Sequence, residues 1–281
     1  MRPATTALRQ GLARGRIELR QSFAGAGLLG HLFWPVVTLV AIALLRDRSF
    51  QASGFTLGAL ALPSVLGMFV ALGMLLTVQY LTAEREDGTL LRAKAIPNGI
   101  GGYFVGKLVT VSGTILVYLA ILPVPGLLLV DGLEVGGIGS WLTLAWVLLL
   151  GLVATQSIGA MLGALISSSR GASYLSLPVI GLIAISGIFY PITALPGWLQ
   201  GIAQAFPMYW LGLGMRSALL PDAAASVELG GSWRHLETIG VLGTWAVLGL
   251  VVAPIVLRRM ARRESGSRVA ERREQLLQRI G

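Results

Sequence analysis

Glu84-Arg85-Glu86-Asp87-Gly88-Thr89-Leu90-Leu91-Arg92-Ala93-Lys94-Ala95-Ile96-Pro97 separates two long apolar runs, and its reading decides the fold. Three carboxylates fall within four residues, Glu84 to Asp87, in a chain that is otherwise basic and apolar. A plain connection between membrane helices needs only a few turn residues. This one is long and charged, reads as helical up to Pro97, and stops at Pro97-Asn98-Gly99. Gly88 bends or breaks that helix, at a propensity cost of ~1 kcal/mol. The stretch has the character of a docking surface.

The flanking runs define the class. Apolar residues make up 54% of the 281 and charged residues 12%, where a soluble domain carries about 25% charge. The expected fold is therefore an all-α integral membrane protein. Stretches long enough to cross a ~30 Å hydrocarbon core lie near 27–45, 55–80, 103–122, 141–166, 172–190 and 238–257, which gives six transmembrane helices. They group as one membrane domain over residues 27–257, between an N-terminal segment at 1–26 and a basic tail at 258–281. With no cysteine, disulfides, thiolate catalysis and Cys-ligated metals are excluded.

The net charge of +9 is unevenly placed. Under six spans, 18 of the 22 Lys and Arg residues fall on one side, and only Arg46, Arg48, Arg216 and Arg234 fall on the other. The positive-inside rule then sets both termini in the cytoplasm of a multi-pass protein of the cytoplasmic (inner) membrane. The basic surplus faces membrane lipids. It lacks the aromatic interleaving of a nucleic-acid surface, so nucleic acid is not expected as a partner.

Residues 4–24 read as an amphipathic elbow helix with Leu8, Leu12, Leu19 and Phe23 on one arc and Arg9, Arg16 and Arg20 beside it. The alternative is a disordered start. Between spans five and six, Ile192–Phe206 and Met208–Leu220 are apolar but too short to span, and Pro191, Pro207 and Pro221 punctuate them. They are expected to form an external re-entrant helical hairpin over 191–220. This is either a lid at the mouth of a pathway or an interfacial anchor. In the tail, Val269, Leu276 and Ile280 share a helical face, so it is a lipid-bound or partner-bound helix or else disordered.

Motif searches mostly exclude. Gly101-Gly102-Tyr103-Phe104-Val105-Gly106-Lys107-Leu108 approaches a phosphate-binding loop, but Leu108 replaces the hydroxyl that would hold magnesium and no strand precedes it. Lys107 is expected to snorkel to the interface. His31 and His235 fall on opposite sides, so no histidine pair holds a metal. The acids at 84–87 have no acid–base partner, and Arg85 keeps them ionised. No catalytic, cofactor or metal site is expected on this chain. Apart from Lys107 the spans carry no charged residue, whereas ion-coupled transporters keep such groups for protons or sodium. Uphill transport by this protein would need energy from outside it.

At these residues the chain resembles the membrane subunits of type 2 ABC exporters, the daunorubicin-resistance-like permeases. The resemblance rests on Glu84-Arg85-Glu86-Asp87-Gly88-Thr89-Leu90-Leu91-Arg92, then Pro97, then Gly106-Lys107. It continues in Ser186-Gly187-Ile188-Phe189-Tyr190-Pro191, Leu195-Pro196-Gly197-Trp198-Leu199, Pro207-Met208-Tyr209 and Arg216. Leu91, Ala93 and Ile96 depart from the residues the family often has.

The resemblance implies a coupling helix at 81–97 that inserts into a separate ABC ATPase subunit, present in two copies with ATP and magnesium bound there. It also implies a second permease subunit, as a homodimer. Glu84, Glu86 and Asp87 would face donors on the ATPase, and Leu90 and Leu91 would anchor in it. Tyr190, Pro191, Leu195, Pro196, Trp198, Pro207 and Tyr209 would form the lid. Gln156, Tyr174 and Ser186 are candidate pathway liners. The expected function is the permease subunit of an ATP-driven exporter of a drug, lipid or lipid-linked product. The alternative is an uncoupled facilitator, a scramblase or a non-transporting anchor.

Overall fold

The computed structural model describes residues 3–46, 56–130, 132–133, 137–166 and 168–263. The expected tail helix at 264–281 lies outside the described residues. Eleven α-helices follow one another within them: α1 (Pro3–Ser22), α2 (Ala26–Leu45), α3 (Leu57–Glu86), α4 (Thr89–Lys94), α5 (Gly99–Ile121), α6 (Pro123–Leu129), α7 (Ile138–Leu165), α8 (Ser169–Ile185), α9 (Gly197–Ala205), α10 (Pro207–Leu219) and α11 (His235–Arg263).

Among the described residues, five helical stretches are long and apolar enough to cross a membrane: Gly27–Leu45, Leu57–Glu86, Gly99–Leu129, Ile138–Leu165 and His235–Arg263. The expected fifth span is the 17-residue α8. At 1.5 Å per residue it is about 26 Å long, just short of a ~30 Å core. Helix α3 does the opposite. Its 30 residues run unbroken into the charged stretch, so Glu84-Arg85-Glu86 is the last turn of a membrane-length helix about 45 Å long.

Helix α3 is the central element, packed against α5, α7, α8 and α10. Glycines set its closest contact. A Cβ on Gly159 of α7 would lie 2.4 Å from the Met74 carbonyl oxygen, and one on Gly163 would lie 2.9 Å from Leu81. The Gly159-x-x-x-Gly163 face therefore lets two backbones touch, where dispersion rather than water exclusion drives helix association. Thr155 adds a hydroxyl bond across the same contact, to the Val70 carbonyl at 3.1 Å.

Two elements sit differently from their sequence reading. Helix α1 packs lengthwise along α5: Gly11 meets Gly102 and Val105, Gly15 meets Gly106 and Val109, and Leu19 covers Gly113. Its buried side is thus the glycine face, while Leu8 and Leu12 point outward. Helix α10, expected near the surface, is buried almost throughout, between α3, α7 and α11. Gly212 makes this possible, lying against Gly67 of α3 and Ile188.

Gly159→Ala is expected to overpack the α3–α7 contact and cost about 1–3 kcal/mol, because its new methyl meets backbone rather than a flexible side chain. Gly181→Ala in α8 is the control, since a Cβ there meets nothing within 4 Å. Thermal unfolding in detergent should show a lowered Tm for the first and no loss for the second.

Candidate functional site

The charged stretch divides into an inward part and an outward part at one backbone device. Asp87 ends α3, Gly88 takes a left-handed conformation (φ 79°, ψ 8°), and α4 starts at Thr89. The Asp87 carboxylate accepts the Thr89 N–H at 2.7 Å, and Asn98, at φ 57°, turns the chain into α5. Left-handed backbone favours glycine and, less strongly, asparagine, so both positions suit their residues.

The inward part is an ionic cluster joining three helices. Lys107 of α5, with 4% of its side chain exposed, pairs with Glu84 of α3 and with Glu18 of α1, the latter at 2.5 Å. Arg14 of α1 binds Glu18 at 2.6 Å and approaches Glu84 at 3.6 Å. Thr110 donates to Glu18 at 3.1 Å. Tyr80 and Tyr103 offer ring faces to Lys107, at 5.0 and 5.7 Å, and Tyr103 also sits 5.0 Å from the Arg14 guanidinium. Burial alone would raise the Glu18 carboxyl; the hydrogen bonds and charges of Lys107 and Arg14 outweigh it and hold the group below its usual range. Burial likewise opposes the Arg14 charge, and Glu18 and Glu84 reverse that.

This arrangement corrects three expectations. Glu84 points into its own protein and not toward a partner. Lys107 does not snorkel; it is enclosed by two carboxylates. Leu90 is 1% exposed and, with Ala93, packs against Leu81, Ile100, Leu257 and Met260, so it anchors α4 to the helices of its own chain. Arg85 is also used internally, donating to the Ile166 carbonyl at the end of α7 at 2.7 Å. Glu86, Thr89 and Leu91 are half-buried, and the outward surface consists of Asp87, Arg92 and residues 94–98. Ile96 stands 53% exposed at its centre.

The remaining site candidates scatter. Pro207 and Tyr209 are interior residues of α10, while Pro196 and Trp198 are exposed on and before α9, and Tyr190, Pro191 and Leu195 are half-buried between them. Tyr190 donates to the Ala184 carbonyl at 2.7 Å. Gln156 is fully buried and donates to Ser112 at 2.8 Å. Ser186 is buried on the Ile183 carbonyl, and Tyr174 stands 70% exposed on α8. A cleft of about 420 Å³ lies between α2, α3, α5 and α8, with Trp34, Phe69, Leu72 and Leu75 among its walls and Thr38 and Gln79 among its polar groups.

Sequence reasoning passed over Arg14, Glu18 and Glu228. Arg14 and Glu18 were detectable as an i,i+4 pair on the Gly11–Gly15 face of α1. Glu228 pairs with Arg216 at 2.7 Å, both buried, and Arg216 also donates to the carbonyls of Gly187 (3.2 Å) and Ile188 (2.9 Å). One guanidinium thus ties the end of α8 and the connection before α11 to α10.

Lys107→Met removes the ammonium shared by two carboxylates, leaves Glu84 only Arg14 at 3.6 Å, and is expected to destabilise the chain by about 3–5 kcal/mol. The double variant Lys107→Met/Glu84→Gln should recover much of the loss, because the remaining Glu18 keeps Arg14 as its partner. Equal Tm for Lys107→Met and the wild type would refute the cluster. A pH dependence follows from Glu18. Its folded value lies below the ordinary carboxylate value of ~4.3, so its contribution is complete above that value and fades as pH falls through the lower one. The stability gap between wild type and Glu18→Gln should accordingly close on acidification.

Residues 44–255, well over half of the chain, match the family described as ABC-2 family transporter protein. No curated protein matches the chain. The match covers α3 to α10, the charged stretch and most of α11, and several of its helices are long and apolar enough to cross a membrane. The chain belongs to the ABC-2 transporter family and is a multi-pass permease subunit of an ABC transporter, a kind of subunit that normally works with an ABC ATPase.

Proposed function

We propose that this permease is the membrane half of an exporter of hydrophobic or amphipathic molecules, driven by an ABC ATPase that docks on Asp87, Arg92 and residues 94–98. The observation that carries this reading is the exposed tip on a braced lever. Helix α3 is continuous from the membrane-length run into the charged turn, the Lys107 cluster clamps that turn to α1 and α5, and Leu90 pins α4 beneath it. A push on the tip therefore reaches α3 and α5 without being absorbed in a loop.

Two further observations support it. Among the described residues, the fully buried charged side chains are already ion-paired, Lys107 with Glu84 and Glu18, and Arg216 with Glu228. That leaves them poorly suited to carrying a coupling proton or sodium and favours energy delivered from outside. The cleft between α2, α3, α5 and α8 is mostly apolar with a few polar groups, which fits a molecule with a long apolar part and a hydrogen-bonding head.

In the proposed assembly, α8 completes six spans and α1 is the elbow helix. Two permease copies sit on two ATPase subunits that bind ATP and magnesium, and both termini face the cytoplasm. The segment holding α9 and α10 forms the external side, with α9 at the surface.

The double variant Arg92→Glu/Ile96→Asp changes only exposed tip residues. It is expected to keep the wild-type Tm while losing at least about tenfold of the affinity for the cognate ABC ATPase, read by co-purification and by permease-dependent ATPase activity. Unchanged assembly and activity would remove the tip from the docking surface.

A further inference from the structure

Arg9, Arg16 and Arg20 are exposed on the outward side of α1, and the chemistry of that side is specific. Leu8 (51% exposed) and Leu12 (45%) form one stripe, and Arg9, Arg16 and Arg20 form a second beside it, turned away from α5. A shallow groove of about 350 Å³ runs between the stripes, lined by Thr5, Leu8, Arg9, Leu12, Ala13 and Arg16. Arg14, on the same helix, shows the contrast: it faces the cluster and binds Glu18. Among the described residues, Arg9, Arg16 and Arg20 meet no carboxylate, and a guanidinium stays charged at any physiological pH.

Depth decides what such a surface meets. Glu18 lies between Arg16 and Arg20 in sequence and binds Lys107, beyond which α5 carries no charged residue. Tyr80 stacks on the same ammonium at the end of the apolar run of α3, the position of an interfacial aromatic. Arg16 and Arg20 are therefore within a turn of the hydrocarbon boundary, and Arg9 is about 10 Å further along the helix. At that level an exposed leucine stripe meets acyl chains, and the planar guanidinium forks beside it match phosphate oxygens bidentately.

We propose that the Arg9–Arg16–Arg20 face of α1 is a binding site for anionic phospholipid head groups. It selects them over zwitterionic ones and holds α1, and with it the Lys107 cluster, at the membrane surface. The partner is the bilayer lipid and not free phosphate, because the groove wall is mostly hydrocarbon.

The test uses the full chain in neutral detergent, with dioleoyl phosphatidylglycerol, dioleoyl phosphatidylcholine and inorganic phosphate as probes. Bound lipid is counted by native mass spectrometry. Arg9→Gln/Arg16→Gln/Arg20→Gln is compared with the control Arg258→Gln/Arg259→Gln/Arg262→Gln on the exposed end of α11, and all variants are first matched for lipid-free Tm. The wild type and the control should prefer phosphatidylglycerol by at least about tenfold. The α1 variant should lose that preference, added salt should weaken it, and millimolar phosphate should not compete. Equal binding of the two lipids by the wild type, or a preference kept by the α1 variant, would overturn the proposal. Competition by phosphate would also overturn it, in favour of a soluble anion. Unchanged lipid binding with lost ATPase co-purification would do so in favour of a protein partner.

Discussion

The structure turns on one buried ammonium. Lys107 leaves water at a cost of several kcal/mol per ion, and two carboxylates from two other helices offset it. Because those carboxylates come from α1 and α3, the pairing fixes three chain segments at one point. Glycine faces then allow α1 to lie along α5 and α7 to lie on α3. The last turn of α3 is held where the charged stretch begins, and the break at Gly88 starts a short helix whose position is set by Leu90 and Ala93. The exposed tip inherits its orientation from that clamp.

In the last turn of α10, Arg216 plays a comparable structural part. It is buried to 2%, and it is paired with Glu228 and with two carbonyls past the end of α8. A buried polar group of this kind is tolerable because its charge is matched and most of its donors are used. Around α10 the tryptophans extend the same connection: Trp210 donates to the Gln204 carbonyl, Trp245 to the Ala205 carbonyl and Trp233 to Asp222. Side-chain bonds thus tie together the short helices between α8 and α11, while the exposed faces of α2 and α8 border the apolar cleft.

Much of this was legible in the sequence, for identifiable reasons. Apolar length gave the long helices, and the run of acids followed by Gly88 and Pro97 gave the charged turn and its break. The failures share a cause. Glu84 and Leu90 sit in a segment that looks polar and exposed, yet the residues that turn them inward are Lys107, Arg14 and Leu257, which are remote in sequence. Helix α10 was read as half of a re-entrant or interfacial hairpin because it is too short to span; what allows the burial of its Arg216 is Glu228 and two carbonyls of another segment. For α1 the leucine arc was visible, but the buried face is set by Gly11, Gly15 and the i,i+4 pair Arg14–Glu18. Small residues carry little hydropathy signal, so the packing face was the less conspicuous one.

The central claim is that the tip after Gly88 is presented outward to an ATPase while its leucine is held inside. The absence of cysteine from the chain makes this directly measurable with single-cysteine variants and a maleimide probe. Arg92→Cys should label quickly in the isolated permease and become protected when the ABC ATPase binds, whereas Leu90→Cys should label slowly in both states. Rapid labelling at Leu90→Cys, or an Arg92→Cys rate indifferent to the ATPase, would contradict the account.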